Sequence, residues 1–89
     1  MRLYHLTSIE DARLIRKTGK IDSPYGEVYF TSRSNSMHST VHCGGPVIVS
    51  CEAPNKVVHL EDEFPDGEKH YRILSRDMNH VSVITVEER

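Results

Sequence analysis

The chain has 89 residues, enough for one small domain with a thin stability margin. Apolar residues make up 37% and charged residues 27%, which excludes intrinsic disorder, and the net charge of −2 supplies no global attraction to nucleic acid. No apolar run approaches the roughly 18 residues needed to cross a bilayer, and the N-terminus has no secretory apolar segment, so the expectation is a cytoplasmic protein without a membrane partner.

The first element is a strand over residues 2–6. Thr7-Ser8-Ile9-Glu10 then has the pattern of a capping box, with Thr7 as the cap and Glu10 answering it. Ile9, Ala12, Leu14 and Ile15 give the following helix an apolar stripe. Arg13, Arg16 and Lys17 suit its C-terminal end, and Gly19 is a natural stop. Asp22-Ser23-Pro24 and Tyr25-Gly26 mark a turn, and Val28-Tyr29-Phe30-Thr31 a second strand. Met37, His38 and Val41 fall at helical spacing and predict a second short helix within 32–43, ended by Gly44-Gly45-Pro46.

A continuous apolar strand over 46–51, placed centrally, follows, then a turn and a strand over 56–60. Residues 61–67 read as a solvated acidic loop whose spacing fits no calcium template, so no metal site is expected. Strands over 70–74 and 81–86, joined by a polar segment over 75–79, complete the chain. The prediction is a single compact α+β domain, a mixed and largely antiparallel sheet of about six short strands with two short helices. An exposed sheet edge would leave room for two copies to pair.

Cys43 and Cys51 are too few for a disulfide framework or a zinc signature, and both are expected as reduced thiols. A nucleophilic Cys43 with the adjacent His42 is the less favoured alternative. Lys69, His70, Arg72, Arg76 and His80 form a local basic cluster, read either as a nucleic-acid contact or as charges guarding an edge strand.

Two runs carry more than local structure. Leu3-Tyr4-His5-Leu6-Thr7-Ser8 resembles the first motif of the ADP-ribosyltransferase superfamily, a strand ending in His and then Thr or Ser, and Val28-Tyr29-Phe30-Thr31-Ser32 resembles its second. The stretch from Tyr29 to Met37, with Arg33-Ser34 at its centre, is most similar to DarT-type enzymes, which ADP-ribosylate bases in single-stranded DNA. Val41-His42-Cys43-Gly44 and the segment from Tyr71 to Val86 continue the likeness.

The resemblance implies an ADP-ribosyltransferase-like fold that uses NAD as substrate, with single-stranded DNA or a protein as acceptor. It implies that His5 and Thr7 hold ribose and nicotinamide, that Tyr29 or Phe30 packs on the nicotinamide ring, and that Arg33 grips phosphate or assists catalysis. Strand alternation lets only one of Tyr29 and Phe30 serve. Active relatives carry a Glu where this chain has His70. Glu68, two residues earlier on the same strand face, could supply the carboxylate, or His70 could act as the base. The alternative is a domain that binds NAD, ADP-ribose or a partner without turnover.

Overall fold

The computed structural model describes residues 1–23, 25–40 and 43–89. Pro24, Val41 and His42 lie outside them, and with them the turn residue, the helix position and the thiol base that the sequence suggested. Six strands form one sheet in the order β4-β5-β2-β1-β3-β6, every pairing antiparallel. They are β1 (Arg2–Thr7), β2 (Glu27–Thr31), β3 (Val47–Glu52), β4 (His59–Glu63), β5 (Lys69–Leu74) and β6 (Ser82–Glu88). Among the described residues one α-helix, α1 (Ile9–Thr18), and two 3-10 helices, Asn55–Val57 and Ser75–His80, complete the elements. The α+β class and the six strands agree with the sequence reading, and no helix among the described residues is long and apolar enough to cross a membrane.

The strands bury one face by alternation. Leu3, Val28, Phe30, Val49, Cys51 and Ile73 point to a common side and pack with Ile15 of α1, Ile21 and Val57. Phe30 is completely buried at the centre of this core. The apolar strand β3 lies inside the sheet between β1 and β6, as its continuous hydrophobic run requires.

Helix α1 starts one residue later than the capping box suggests. Ser8 is the N-cap, its side chain accepting the Asp11 N–H at 3.1 Å, while the Thr7 hydroxyl donates to the Asp11 carboxylate. The helix ends at Gly19, whose φ of 72° is open to glycine at no cost and whose N–H reaches Ile15 O. Ser8→Ala is expected to cost about 1 kcal/mol in denaturant unfolding. A loss of that size from Thr7→Ala with none from Ser8→Ala would return the cap to Thr7.

Three further expectations are corrected. The described residues of 32–40 carry no helix, and Met37 is 79% exposed rather than on an apolar stripe. The cause is tertiary: Met37 N–H donates to Glu68 Oε1 and Ser36 Oγ to Glu68 Oε2, so a distant carboxylate takes the groups an isolated segment would have turned inward. The strand expected over 56–60 opens instead as a 3-10 turn, and pairing continues into the acidic run, where Glu61, Asp62 and Glu63 belong to β4. Lys69 and Arg72 on β5 neutralise Glu63 and Glu61, so strand pairing overrides the loop character of the acidic residues. This charged edge strand is itself a barrier to edge-to-edge association.

Candidate functional site

The neighbouring strands β1 and β2 register at a single pair, Tyr4 with Thr31. Beyond it, toward Thr7 and Glu27, they part, and a cleft of about 420 Å³ opens between them and the start of α1. His5 lines it. Its Nδ1 donates to Tyr29 O at 2.8 Å, replacing a ladder bond with a side-chain bridge. A carbonyl only accepts, so Nδ1 carries the proton and Nε2 is left on the side of Asp11, 3.9 Å from Oδ2. Phe30 lies against the imidazole from the core, ring centroids 5.6 Å apart.

Asp11 is the hub of the inner wall. The His5 imidazole and the Thr7 hydroxyl hold its carboxyl below the ordinary range, against the opposing effect of partial burial. Across the cleft the Tyr29 hydroxyl donates to Glu27 Oε2 at 2.6 Å, and Glu27 Oε1 accepts from Arg72 Nη1 at 2.7 Å. That bond to Glu27, with burial, pushes the Tyr29 phenol up, so it stays a donor at neutral pH. Arg72 also meets Glu61, which ties β2, β5 and β4 together. Three carboxylates, Asp11, Asp22 and Glu27, face the cleft, and no Lys or Arg among the described residues lines it.

The remaining residues named from the sequence lie elsewhere. Glu68 and His70 sit at the opposite end of β2, where Thr31 pairs with His70. Four residues of strand separate that point from Glu27, about 13 Å at the usual rise. Glu68 is completely buried, accepting from Ser36 Oγ at 2.7 Å, Met37 N–H at 3.0 Å and His70 Nε2 at 2.8 Å. Burial opposes its ionisation, but these bonds outweigh it and hold the carboxyl below its usual range. Phe64 stacks on His38 at 4.0 Å and meets His70 edge-on, closing the group from outside.

Arg33 belongs to this second cluster. Its Nη2 donates to Asp66 O at 2.6 Å, and Nη1 lies 3.3 Å from Asp66 Oδ2, the oxygen that His38 Nε2 also meets at 3.0 Å. His38, Asp66 and Glu68 bring three donor atoms within 4.8 Å of one another, a set that suits a divalent cation by type. Arg33 and His38 already hold the Asp66 oxygen, so a cation would have to displace Arg33 and break the His38–Asp66 bond.

His5, Thr7 and Tyr29 therefore share one cleft, whereas Phe30 is core and Arg33, Glu68 and His70 form a separate network. Three members of the expected basic cluster are spent internally: His70 is buried, Lys69 pairs with Glu63, and Arg72 lies between Glu27 and Glu61, whereas Arg76 and His80 are exposed. Both cysteines are buried and unpaired. Burial, and for Cys43 the nearby Glu68, pushes each thiol up to about 12, so neither is a nucleophile at neutral pH. Asp11, Glu27, Ser36, His38 and Asp66 were not singled out from the sequence. Asp11 alone had a local signal, its i+4 spacing from Thr7.

No protein-family model, curated protein or solved structure matches this chain. The cleft and the buried network thus stand on their own geometry.

Proposed function

We propose that the domain is an NAD-binding module of the ADP-ribosyltransferase-like kind, seating the nicotinamide–ribose end of NAD between β1 and β2. The observation that carries this reading is the parting of β1 and β2 beyond Tyr4, with His5 and Thr7 at the opening. The nicotinamide ring of NAD is cationic and its ribose carries hydroxyls. A cleft lined by Asp11 and Asp22, with Glu27 already paired to Arg72 and no lysine or arginine among the described lining residues, complements that end and not the diphosphate. Tyr25, 79% exposed at the mouth, offers an aromatic face to the cationic ring.

The arrangement favours holding the ligand over transferring it. Cleavage at the nicotinamide ribose passes through an oxocarbenium-like state that needs a carboxylate at the sugar. Glu68 is sealed in the second cluster with its oxygens engaged. Transfer of ADP-ribose to a nucleobase in DNA is the second reading, favoured by Glu27, which brings a carboxylate to the cleft beside Tyr29.

Calorimetric titration with NAD tests both. Binding by the native domain is expected, lost in His5→Ala and retained in Arg33→Ala, with no nicotinamide released in the presence of single-stranded DNA. Absence of NAD binding would sink the proposal. Loss in Arg33→Ala with retention in His5→Ala would move the ligand to the Glu68 end. Nicotinamide release that depends on Glu27 would establish the second reading.

A further inference from the structure

A larger cavity, about 730 Å³, lies between α1 and the 3-10 helix Ser75–His80 and shares only Asp11 and Asp22 with the cleft already described. Its volume falls within the roughly 300–1,000 Å³ typical of small-molecule sites. Leu14, Ile15, Ile21, Met78 and Val81 supply apolar walls, and Leu14 is 61% exposed on its rim. Ser75 also lines the cavity, and its Oγ is sealed from water without a hydrogen-bond partner, the single such side-chain atom among the described residues. A polar atom in that state carries its desolvation cost with no return, which a ligand group can supply.

Charge selects the ligand further. Asp11 and Asp22 line this cavity as well as the NAD cleft, so they form the wall between the two. Against these two carboxylates stands one lining cation, Lys20. The polar end therefore carries excess negative charge, and the rest is hydrocarbon.

We propose that this cavity binds a small primary amine with a compact apolar body. The ammonium meets Asp11 and Asp22, the body packs on Leu14, Ile21 and Met78, and a rotation about χ1 lets the Ser75 hydroxyl bond the ligand. Methionine suits such a face because its thioether adapts to an aromatic ring. The proposal does not rest on NAD binding. It does carry a consequence for the neighbouring cleft: Asp11 also accepts from Thr7 and faces His5, so an amine drawing on that carboxylate perturbs His5.

The test is a titration of the domain with 2-phenylethylamine followed by NMR, with 2-phenylethanol and 3-phenylpropionate as neutral and anionic probes of similar body. Saturable shifts at Leu14, Met78 and Asn79, with a His5 ring shift, are expected, and the amine should bind at least tenfold tighter than either control. Asp22→Asn should weaken the amine about tenfold and leave the alcohol unchanged. Leu14→Lys, at an exposed position that keeps the fold, should abolish amine binding. Equal binding of the three probes, preference for the carboxylate, shifts confined to other surfaces, or an Asp22→Asn variant that binds the amine as well as the native domain would each overturn the proposal.

Discussion

Glu68→Ala is expected to lower the unfolding free energy by about 3–5 kcal/mol, a large share of the roughly 4–13 kcal/mol available to a domain of this size. The substitution removes one carboxylate but strands three donors: Ser36 Oγ, the Met37 N–H and His70 Nε2, the first and last on buried residues. The two buried donors, Ser36 Oγ and His70 Nε2, lose an acceptor that bulk water does not reach. The loop from Ser32 to Thr40, which has no helix among its described residues, loses one of its anchors at the same time and keeps the two Ser32–Lys69 hydrogen bonds. Urea unfolding at neutral pH gives the number. A loss under 1 kcal/mol would mean the network does not hold the loop.

The same carboxylate sets an acid limit. Its folded pKa lies below the ordinary 4.5, so its contribution is complete above that pH and drains as pH falls through the lower folded value. Asp11 and Asp66 are shifted in the same direction and share the limb. Glu68→Gln, which cannot titrate, should flatten the fall of stability below pH 4.5 while lowering the neutral plateau. An unchanged acid slope would assign the limb to the other carboxylates.

Gly45→Ala should be nearly as damaging, at about 3 kcal/mol, and should act on the cleft. Gly45 has a φ of 138°, and a Cβ there would lie 2.3 Å from Thr7 O and 2.5 Å from Thr7 C. Those are backbone atoms at the end of β1 and cannot swing aside, so strain adds to overlap. Relief requires either the Gly44–Gly45 turn or Thr7 to move, and Gly44 and Thr7 both line the cleft. Gly26→Ala is the matched control: its φ is 79°, yet nothing lies within 4 Å of the added carbon. It should cost about 1 kcal/mol, the conformational part alone. Equal losses from the two variants would show that the close approach to Thr7 carries no energy.

Most of the architecture was legible in the residues because it rests on local rules. Alternation in Val28-Tyr29-Phe30-Thr31 and the apolar run of β3 specify strands wherever they are placed. The stripe of α1 and its Gly19 stop specify a helix with the same independence. The misreadings fall where a competing side chain takes over, near in sequence or far. Ser8 outcompetes Thr7 as the cap because Asp11 already draws the Thr7 hydroxyl. Ser36 and Met37 leave helical spacing because Glu68, 31 or 32 residues away, accepts their protons.

The site divides along the same line. By itself the sequence determined that His5 and Thr7 stand on one short strand and Tyr29 on another, which is enough to place them near one another once those strands pair. It did not determine that β1 and β2 part beyond Tyr4, because a missing ladder is a property of two strands and the helix between them. Nor did it decide the fate of Glu68. Spacing put that residue on the same face as His70, just before β5, and only the folded chain, by closing Ser36, Met37 and His70 around it, turned a candidate catalytic carboxylate into a buried anchor of a loop.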